Sequence, residues 1–571
     1  MGIINTDPAV QLNATFAPNG PPAGRVSMST QSGALGLAIL DYARTLDIGL
    51  STFVSVGNKA DVSSNDLLQY WAQDPRTDVI LLYLESFGNP VRFSRIARRV
   101  ARKKPIVAVK AGRSAAGARA AASHTGALAQ SDAVVDALFR QAGVIRTRTL
   151  EELFDVATLL AHQPVPKGSR VGILTNAGGP GILAADVCEA KGLSLPALSR
   201  ETRRKLSELL PATASVGNPV DMIASATAEQ YEASLSLMLA DENIDSVLVI
   251  FIPPIATDPE AVARAIVKAS GSAGGKPVVA IYMSAKGAPS VLSPIPSFPF
   301  PESAARALAH VVDYGRWLAE PPGKVPEFSD LEPGHAREIV DEALARGGGW
   351  LQPEETDRLL VAFGIATAPP RLARTAEEAV AAAQAMGFPV ALKAVGPEIL
   401  HKTEVGGVRL GLADAGAVRS AFEDLRGRLG AKLSEALVQP MVSGGVEVIV
   451  GLTQDPTFGP LVLYGSGGTL VEVISDVTFR LQPLTDADAA RMLDDVRGSA
   501  LLRGFRGQPV MDEGALKDLI LRVSALAEAC PEIREMDLNP VMVVPRGARV
   551  VDARVRIGAR PIPPPSRRIA S

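Results

Sequence analysis

Cysteine, histidine and aromatic residues are all scarce in this chain. Of its 571 residues, 2 are Cys and 5 are His, and aromatics make up 5%. Cys188 and Cys530 lie far apart with neither pairing nor zinc spacing around them. That argues against a disulfide framework or a cysteine zinc site and fits a reducing cytoplasm. An excess of one charge is also missing, since 58 Lys+Arg face 61 Asp+Glu for a formal charge of −3. A basic nucleic-acid surface is therefore not expected. No apolar run reaches the roughly 18 residues of a membrane span. The start, MGIINTDPAVQ, lacks the basic and apolar blocks of a secretory signal. The composition thus predicts a cytoplasmic protein with no nucleic-acid or membrane partner, long enough for about three to five domains.

What is abundant is glycine (51) and proline (43), within a chain that is 47% hydrophobic. Short continuous apolar runs at 78–84, 105–109, 170–174 and 246–252 read as strands buried on both faces. Helix-period stretches, such as 92–103 and 177–191, lie between them. The pattern predicts two successive doubly wound α/β domains with parallel sheets, at 1–163 and 168–320. Pro321-Pro322-Gly323 and Gly347-Gly348-Gly349 bracket an expected linker, 321–349, containing a helix and serving as a hinge. From 350 to 558, helices at 376–387 and 415–429 mix with alternating strands at 446–452 and 461–464, predicting an α+β domain. A Pro-rich tail, 559–571, is expected to be disordered.

Several segments have the residue types of phosphoryl chemistry. His124 sits in Ala122-Ser-His-Thr-Gly-Ala127, where small neighbours leave its ring open to a phosphorylated ligand. The same residues also suit a plain solvated loop. Ser32-Gly-Ala-Leu-Gly36 and Asn176-Ala-Gly-Gly-Pro-Gly181 each open a helix. Such turns offer backbone N–H groups at the positive end of a helix dipole, although glycine there also serves close packing. Glu85 ends a buried strand, the position that faces the usual ligand crevice of a parallel sheet and from which a carboxylate can support an imidazolium. Lys393 lies in an apolar strand, with His401 and Lys402 in the Gly-rich loop that follows. Two lysines there suit nucleotide phosphates as point charges. Segments 535–541 and 550–553 read as neighbouring strands that bring Asp537, Asn539 and Asp552 together, hard oxygen ligands suited to Mg²⁺.

Taken together, STQSGALG (29–36), SHTGALAQSD (123–132), LTNAGGPG (174–181), NPVDM (218–222), LKAVGPEILHKTEVGGV (392–408), YGSGGTLVEV (464–473) and EMDLNPV (535–541) resemble the NDP-forming acyl-CoA synthetases. That superfamily includes succinyl-CoA synthetase and ADP-forming acetate–CoA ligase. The motifs run in family order over essentially the whole chain. The resemblance implies two flavodoxin-like domains followed by an ATP-grasp domain, and an acid–CoA ligase forming acyl-CoA, ADP and phosphate. It makes His124 the phosphorylated histidine, Glu85 its orienting partner and His401 a second, transient phosphohistidine. Ser32, Gly33, Ala177, Gly178 and Gly179 become phosphate-binding positions. Lys393, Lys402, Gln439 and Glu447 become nucleotide-binding residues, and Asn539, Asp552 and Asp537 metal ligands. The implied ligands are ATP or ADP, Mg²⁺, CoA and a small carboxylic acid.

Fused members of the family begin with a CoA-binding domain, and MGIINT resembles the segment just after it. The expectation is that this domain is missing here, because the true start lies upstream, because a separate subunit supplies it, or because the protein performs only the phosphoryl-transfer half; a homodimer is a further expected partner arrangement. The alternative reading is a regulatory or half-reaction nucleotide-binding protein derived from the same family.

Overall fold

The computed structural model describes residues 2–59, 61–114, 116, 132–254, 257–272, 274–396, 399, 405–467 and 476–560. The chain divides into two compact units between Pro321 and Pro322.

The first unit has two sheets. In the first sheet, five strands run parallel in the spatial order Leu50–Ser55, Ala23–Thr30, Val79–Leu84, Ile106–Lys110, Ile145–Thr147. Counted along the chain, this is the 2-1-3-4-5 order of flavodoxin-like folds. Sequence reading did not foresee an antiparallel extension, in which Ile3–Asn5 and Leu12–Ala14 continue the sheet beyond Leu50–Ser55. The second sheet repeats the order with Val220–Asp221, Val171–Thr175, Ser246–Phe251, Val278–Tyr282 and Ser297–Phe298, all parallel. The central strands of both sheets are buried over most of their length because helices cover each face, which is why they read as apolar runs.

Helix Pro90–Ala101 shows how local sequence builds these layers. Asn89 caps it by accepting the Arg92 N–H, Pro90 opens it, and Phe93, Ile96, Ala97 and Val100 bury one stripe. Helix Pro301–Ala319 packs against helices Leu150–His162 and Gly178–Ala190, one from each half of the unit. Its Trp317 lies under the Arg102 guanidinium, whose centre is 4.1 Å from the ring centroid. Tyr314 donates its hydroxyl to the Ala101 carbonyl.

The second unit contains two antiparallel sheets. The larger has the order Gly349–Trp350, Ala553–Ile557, Ile533–Val543, Val446–Asp455, Gly459–Ser466, Val477–Leu481, with Ala548–Val550 also paired to Ile533–Val543. The smaller has the order Arg371–Ala373, Glu435–Pro440, Val390–Val395, Val408–Leu412 and is backed by helices Ala376–Met386 and Ala415–Leu429.

The expected linker 321–349 is corrected here. Helix Pro333–Ala345 buries Ala336, Ile339, Val340 and Ala343 in the core of the second unit. Ahead of it, the Lys324 N–H donates to Asp486 Oδ1, and the Asp486 N–H donates to the Lys324 carbonyl. The Pro and Gly breaks mark turns at a domain edge, and the apolar period between them marks core. Residues 561–571 of the expected tail lie outside the described residues. No helix among the described residues is long and apolar enough to cross a membrane.

Candidate active-site elements

In each half of the first unit, the crevice of a 2-1-3-4-5 sheet opens beyond the carboxyl ends of its first and third strands. Both crevices are built alike. Thr30 ends the first strand, and its hydroxyl donates to the Ser32 carbonyl while accepting the Ser32 N–H. Gln31, next in the chain, reaches across to the third strand's end. Its Oε1 accepts the N–H groups of Glu85 (2.8 Å) and Ser86 (2.9 Å), and its Nε2 donates to the Ser86 carbonyl. Ser32 then caps helix Gly33–Thr45, its hydroxyl accepting the Leu35 N–H.

In the second half, Thr175 bonds both backbone groups of Ala177. Asn176 donates to the Ile252 carbonyl (2.9 Å) and accepts the Ile252 N–H (3.0 Å). Helix Gly178–Ala190 starts immediately after, with Ala177 as a cap that makes no side-chain bond. A Cβ added to Gly178 would come 3.1 Å from the Asp221 carboxylate, whereas Gly179 faces open space. The candidate phosphate-binding residues therefore sit at equivalent helix starts, each tied to the adjacent strand end by an amide side chain. Asn218 of NPVDM is structural: it accepts the Ile173 N–H and donates to the carbonyls of Val171 and Pro196.

Around Glu85 lie two lysines that sequence reading missed. Lys110 ends the strand beside Val79–Leu84 in register with Leu84, is only 6% exposed, and donates to the Ala111 carbonyl. Burial lowers its pKa to about 8, helped by Arg146 and opposed by Asp132 and Glu85. Lys59 donates to the carbonyl and hydroxyl of Ser86. Burial also lowers its pKa, with Glu85 opposing. The available signal was positional, since Lys110 closes an apolar strand just as Glu85 does.

In the second unit, Lys393 is 5% exposed on strand Val390–Val395 and donates to the Val551 carbonyl. Gln439, one strand over and in register with Ala391, is 5% exposed and donates to the Ala368 carbonyl. Asp537 and Asn539 alternate with buried Met536 and Leu538, so they share the outward face of Ile533–Val543. A bulge opposite Val448 and Val450 lets Val541 return to the core. Glu447 is exposed on the neighbouring strand, and its carbonyl accepts the Gly467 N–H.

Segment 550–553 is not one strand, as had been expected. Asp552 falls between Ala548–Val550 and Ala553–Ile557, both of which pair with Ile533–Val543, and its carbonyl accepts the Asn539 N–H. Although Asp537 is solvent-exposed, partial desolvation by its surroundings raises its pKa; Arg554 opposes this, while Asp552 and Glu535 add to it. Two carboxylates and an amide on joined strands fit an Mg²⁺ shared with phosphates, which needs few protein ligands. No group of three His, Cys, Asp or Glu suited to a metal ion occurs among the described residues. His124, His401 and Lys402 lie outside the described residues. Cys188 and Cys530 are buried free thiols whose pKa values burial raises to about 12 and about 11, as suits inert core residues.

Family models match along the chain in the same succession. A succinyl-CoA ligase like flavodoxin domain matches residues 23–160, a Ligase-CoA domain 171–288 and an ATP-grasp domain 342–557. The chain is 42% identical over 567 residues to acetate–CoA ligase [ADP-forming] I of Archaeoglobus fulgidus, covering 98% of this chain and 81% of that one. To the 4-hydroxybutyrate–CoA ligase [ADP-forming] of Nitrosopumilus maritimus it is 34% identical over 568 residues, covering 97% and 81%. A solved structure of Ca. Korarchaeum cryptofilum dinucleotide forming acetyl-coenzyme A synthetase 1, in complex with phosphate and ADP, superposes with a TM-score of 0.53 at 36% identity. That match covers 56% of this chain and 70% of the other. The chain belongs to the ADP-forming acyl-CoA synthetase family, the acid–CoA ligases built from succinyl-CoA ligase-like and ATP-grasp domains.

Proposed function

We propose that this ligase makes acyl-CoA from a small carboxylic acid, ATP and CoA through a phosphohistidine at His124 and an acyl phosphate, in the cytoplasm. The γ-phosphoryl group of ATP passes by way of His401, with ADP leaving, to a ring nitrogen of His124, and His401 regains its free imidazole. The carboxylate then takes the phosphoryl group, which restores the imidazole. The CoA thiolate attacks the acyl phosphate carbonyl and phosphate departs. Phosphorylation supplies the leaving group that a free carboxylate lacks, and most of the barrier lowering comes from positioning and charge neutralisation.

The observation that carries this reading is the duplicated helix start, Thr30-Gln31-Ser32 and Thr175-Asn176-Ala177, clamped by the same hydrogen-bond scheme in both halves. Ser32 and Gly33 on one side, and Ala177, Gly178 and Gly179 on the other, would offer N–H groups to the phosphoryl oxygens. Glu85 would support the His124 imidazolium, with Lys59 and Lys110 offsetting the negative charge nearby. In the ATP-grasp unit, Lys393, Lys402, Gln439 and Glu447 would hold the nucleotide, with His401 as a transient phosphoryl carrier. Asp537, Asn539 and Asp552 would hold Mg²⁺, which when bound neutralises phosphate charge.

The test is incubation of the full chain with γ-labelled ATP and Mg²⁺. An acid-labile, base-stable label that disappears in His124→Ala supports the reading. A native chain that binds ATP but takes up no such label would overturn it. His401→Ala separates the second histidine, since loss of labelling there with His124 intact assigns it to transfer.

A further inference from the structure

The two halves of the first unit build the same crevice with different side chains around it. At the end of the third strand, the clamping amide accepts the N–H of Glu85 in one half and of Ile252 in the other. On the next strand outward, Lys110 lies in register with Leu84, and Tyr282 lies in register with Phe251. Tyr282 belongs to the core, 2% exposed and with its ring centroid 5.0 Å from that of Phe251. The same fold thus forms with uncharged residues at both positions, and neither Glu85 nor a buried lysine is needed to build the sheet.

Two cations nevertheless lie at the first crevice, and both are bound to neutral oxygens. Lys110 is 6% exposed, and its ammonium donates to the Ala111 carbonyl at 2.6 Å. Lys59 follows the second strand with a left-handed backbone (φ 56°), which a lysine rarely adopts, and donates to the carbonyl and hydroxyl of Ser86. Neither forms an ion pair among the described residues. Glu85 is the carboxylate whose charge both lysines feel. Asp132 also acts on Lys110, but Arg146 bridges Asp132 and Asp136 and itself opposes the Lys110 charge, as does Lys59. Buried charges are normally paired, so two cations short of a counter-ion at one crevice leave a place for an anion.

Building on the phosphohistidine reading of this crevice, we propose that Lys59 and Lys110 set the poise of His124 phosphorylation, as cations kept short of a counter-ion until the phosphoryl group arrives. The charge pairs form in the phosphorylated state and are missing before it, so the equilibrium with ATP moves toward the phosphoenzyme. Linkage makes the effect reciprocal. If phosphorylation tightens the hold of Lys110 on its proton about tenfold, that proton favours phosphorylation about tenfold. Below about pH 8, Lys110 is charged before phosphorylation and the benefit is full. Above that pH the lysine starts uncharged, phosphorylation must take up a proton, and the benefit fades.

The experiment brings the full chain to equilibrium with Mg²⁺, ADP and γ-labelled ATP over a series of ATP/ADP ratios, and reads the label on His124 by peptide mapping. The midpoint ratio gives the equilibrium constant and does not depend on how much of a variant is folded. Lys110→Met and Lys59→Met should each lower that constant about tenfold near neutral pH, while Lys59→Arg, which keeps the charge, should stay within about threefold. The native constant divided by that of Lys110→Met should shrink toward one as pH rises from 7 to 9.5. Taking this quotient at each pH cancels the proton that transfer to an imidazole releases in both proteins. A merely structural role would slow labelling and leave the midpoint where it was. Native midpoints in both Met variants, or a quotient that does not change with pH, would overturn the inference while leaving phosphohistidine formation intact. A native chain that takes up no label on His124 would overturn the phosphohistidine reading and this inference together.

Discussion

Asn176 and Ile252 hold each other by a reciprocal pair of hydrogen bonds, amide to carbonyl and N–H to amide oxygen, across 76 residues of chain. Gln31 does the same for Ser86 in the other half of the unit and adds the Glu85 N–H. At both places a side chain replaces the ladder bonds that two parallel strands lose as they diverge into their loops. The crevice is thereby held open and its edges are fixed.

Removing either clamp should leave buried backbone groups unpaired. Asn176→Ala and Gln31→Ala are each expected to cost about 2–4 kcal/mol, read as a lower urea midpoint at unchanged slope. Phosphohistidine formation should fall more steeply than stability accounts for, because the helix starts lose their fixed edge. A stability loss under about 0.5 kcal/mol would mean the strands hold that geometry unaided.

Lys110 should give a pH signature above neutrality. Its folded pKa is lowered to about 8, from 10.5. Between those values the unfolded chain binds more protons, so this group makes stability rise with pH there; below 8 its penalty is full. Lys110→Met should therefore be more stable than native by on the order of 2 kcal/mol near pH 7, with the advantage fading toward pH 10.5. Chemical denaturation at pH 7, 8.5 and 10 would show whether the gap closes.

Asp155 is the acidic counterpart. Burial, reinforced by Glu151, raises its pKa to about 6, and its Oδ2 has no partner among the described residues. Below about pH 4 both states are protonated. As pH rises to 6 the folded state keeps a proton that the unfolded state gives up, so stability falls. Asp155→Asn should gain about 1 kcal/mol at pH 7, allowing for solvent screening, and nothing near pH 4. A thermal-unfolding series across that range measures the difference, and a gain independent of pH would contradict the ionisation account.

Gly467 approaches Glu447 too closely for any side chain. An added Cβ would lie 2.4 Å from the Glu447 carbonyl carbon. Gly467→Ala should push the two segments apart, with a stability cost of about 1–3 kcal/mol and weaker nucleotide binding. Calorimetric titration with ATP, alongside a melting curve, separates the two effects. Unaltered affinity would separate the position of Glu447 from nucleotide binding.

Much of the architecture is legible in the linear chain. Short apolar runs such as 79–84 and 247–251 fit strands covered on both faces, because a half-exposed strand would alternate and a helix would need a longer run. The helix starts at Ser32 and Ala177 were legible from glycine placement. The role of Gln31 and Asn176 was not, although both lie inside motifs singled out for their glycines. Their partners are 54–55 and 76 residues away, and no local pattern tells a bridging amide from a solvated one. The linker reading failed for a related reason. Proline and glycine report where the backbone turns, but not whether the helix between them has a core to join.

Residue order and residue type alone determined the class of chemistry: motifs in family succession, a lone histidine among small residues, and lysines and oxygen ligands near the end of the chain. Those depend on which side chains exist, which the chain states directly. Only the tertiary structure decided which atoms are left without partners. Gln439 is an acceptor because Ala368 occupies its amide nitrogen, and Lys110 is a weakened cation because a sheet and its covering helices take it out of water. Pairing and desolvation depend on neighbours brought together from distant parts of the chain, so they exist only in the folded protein.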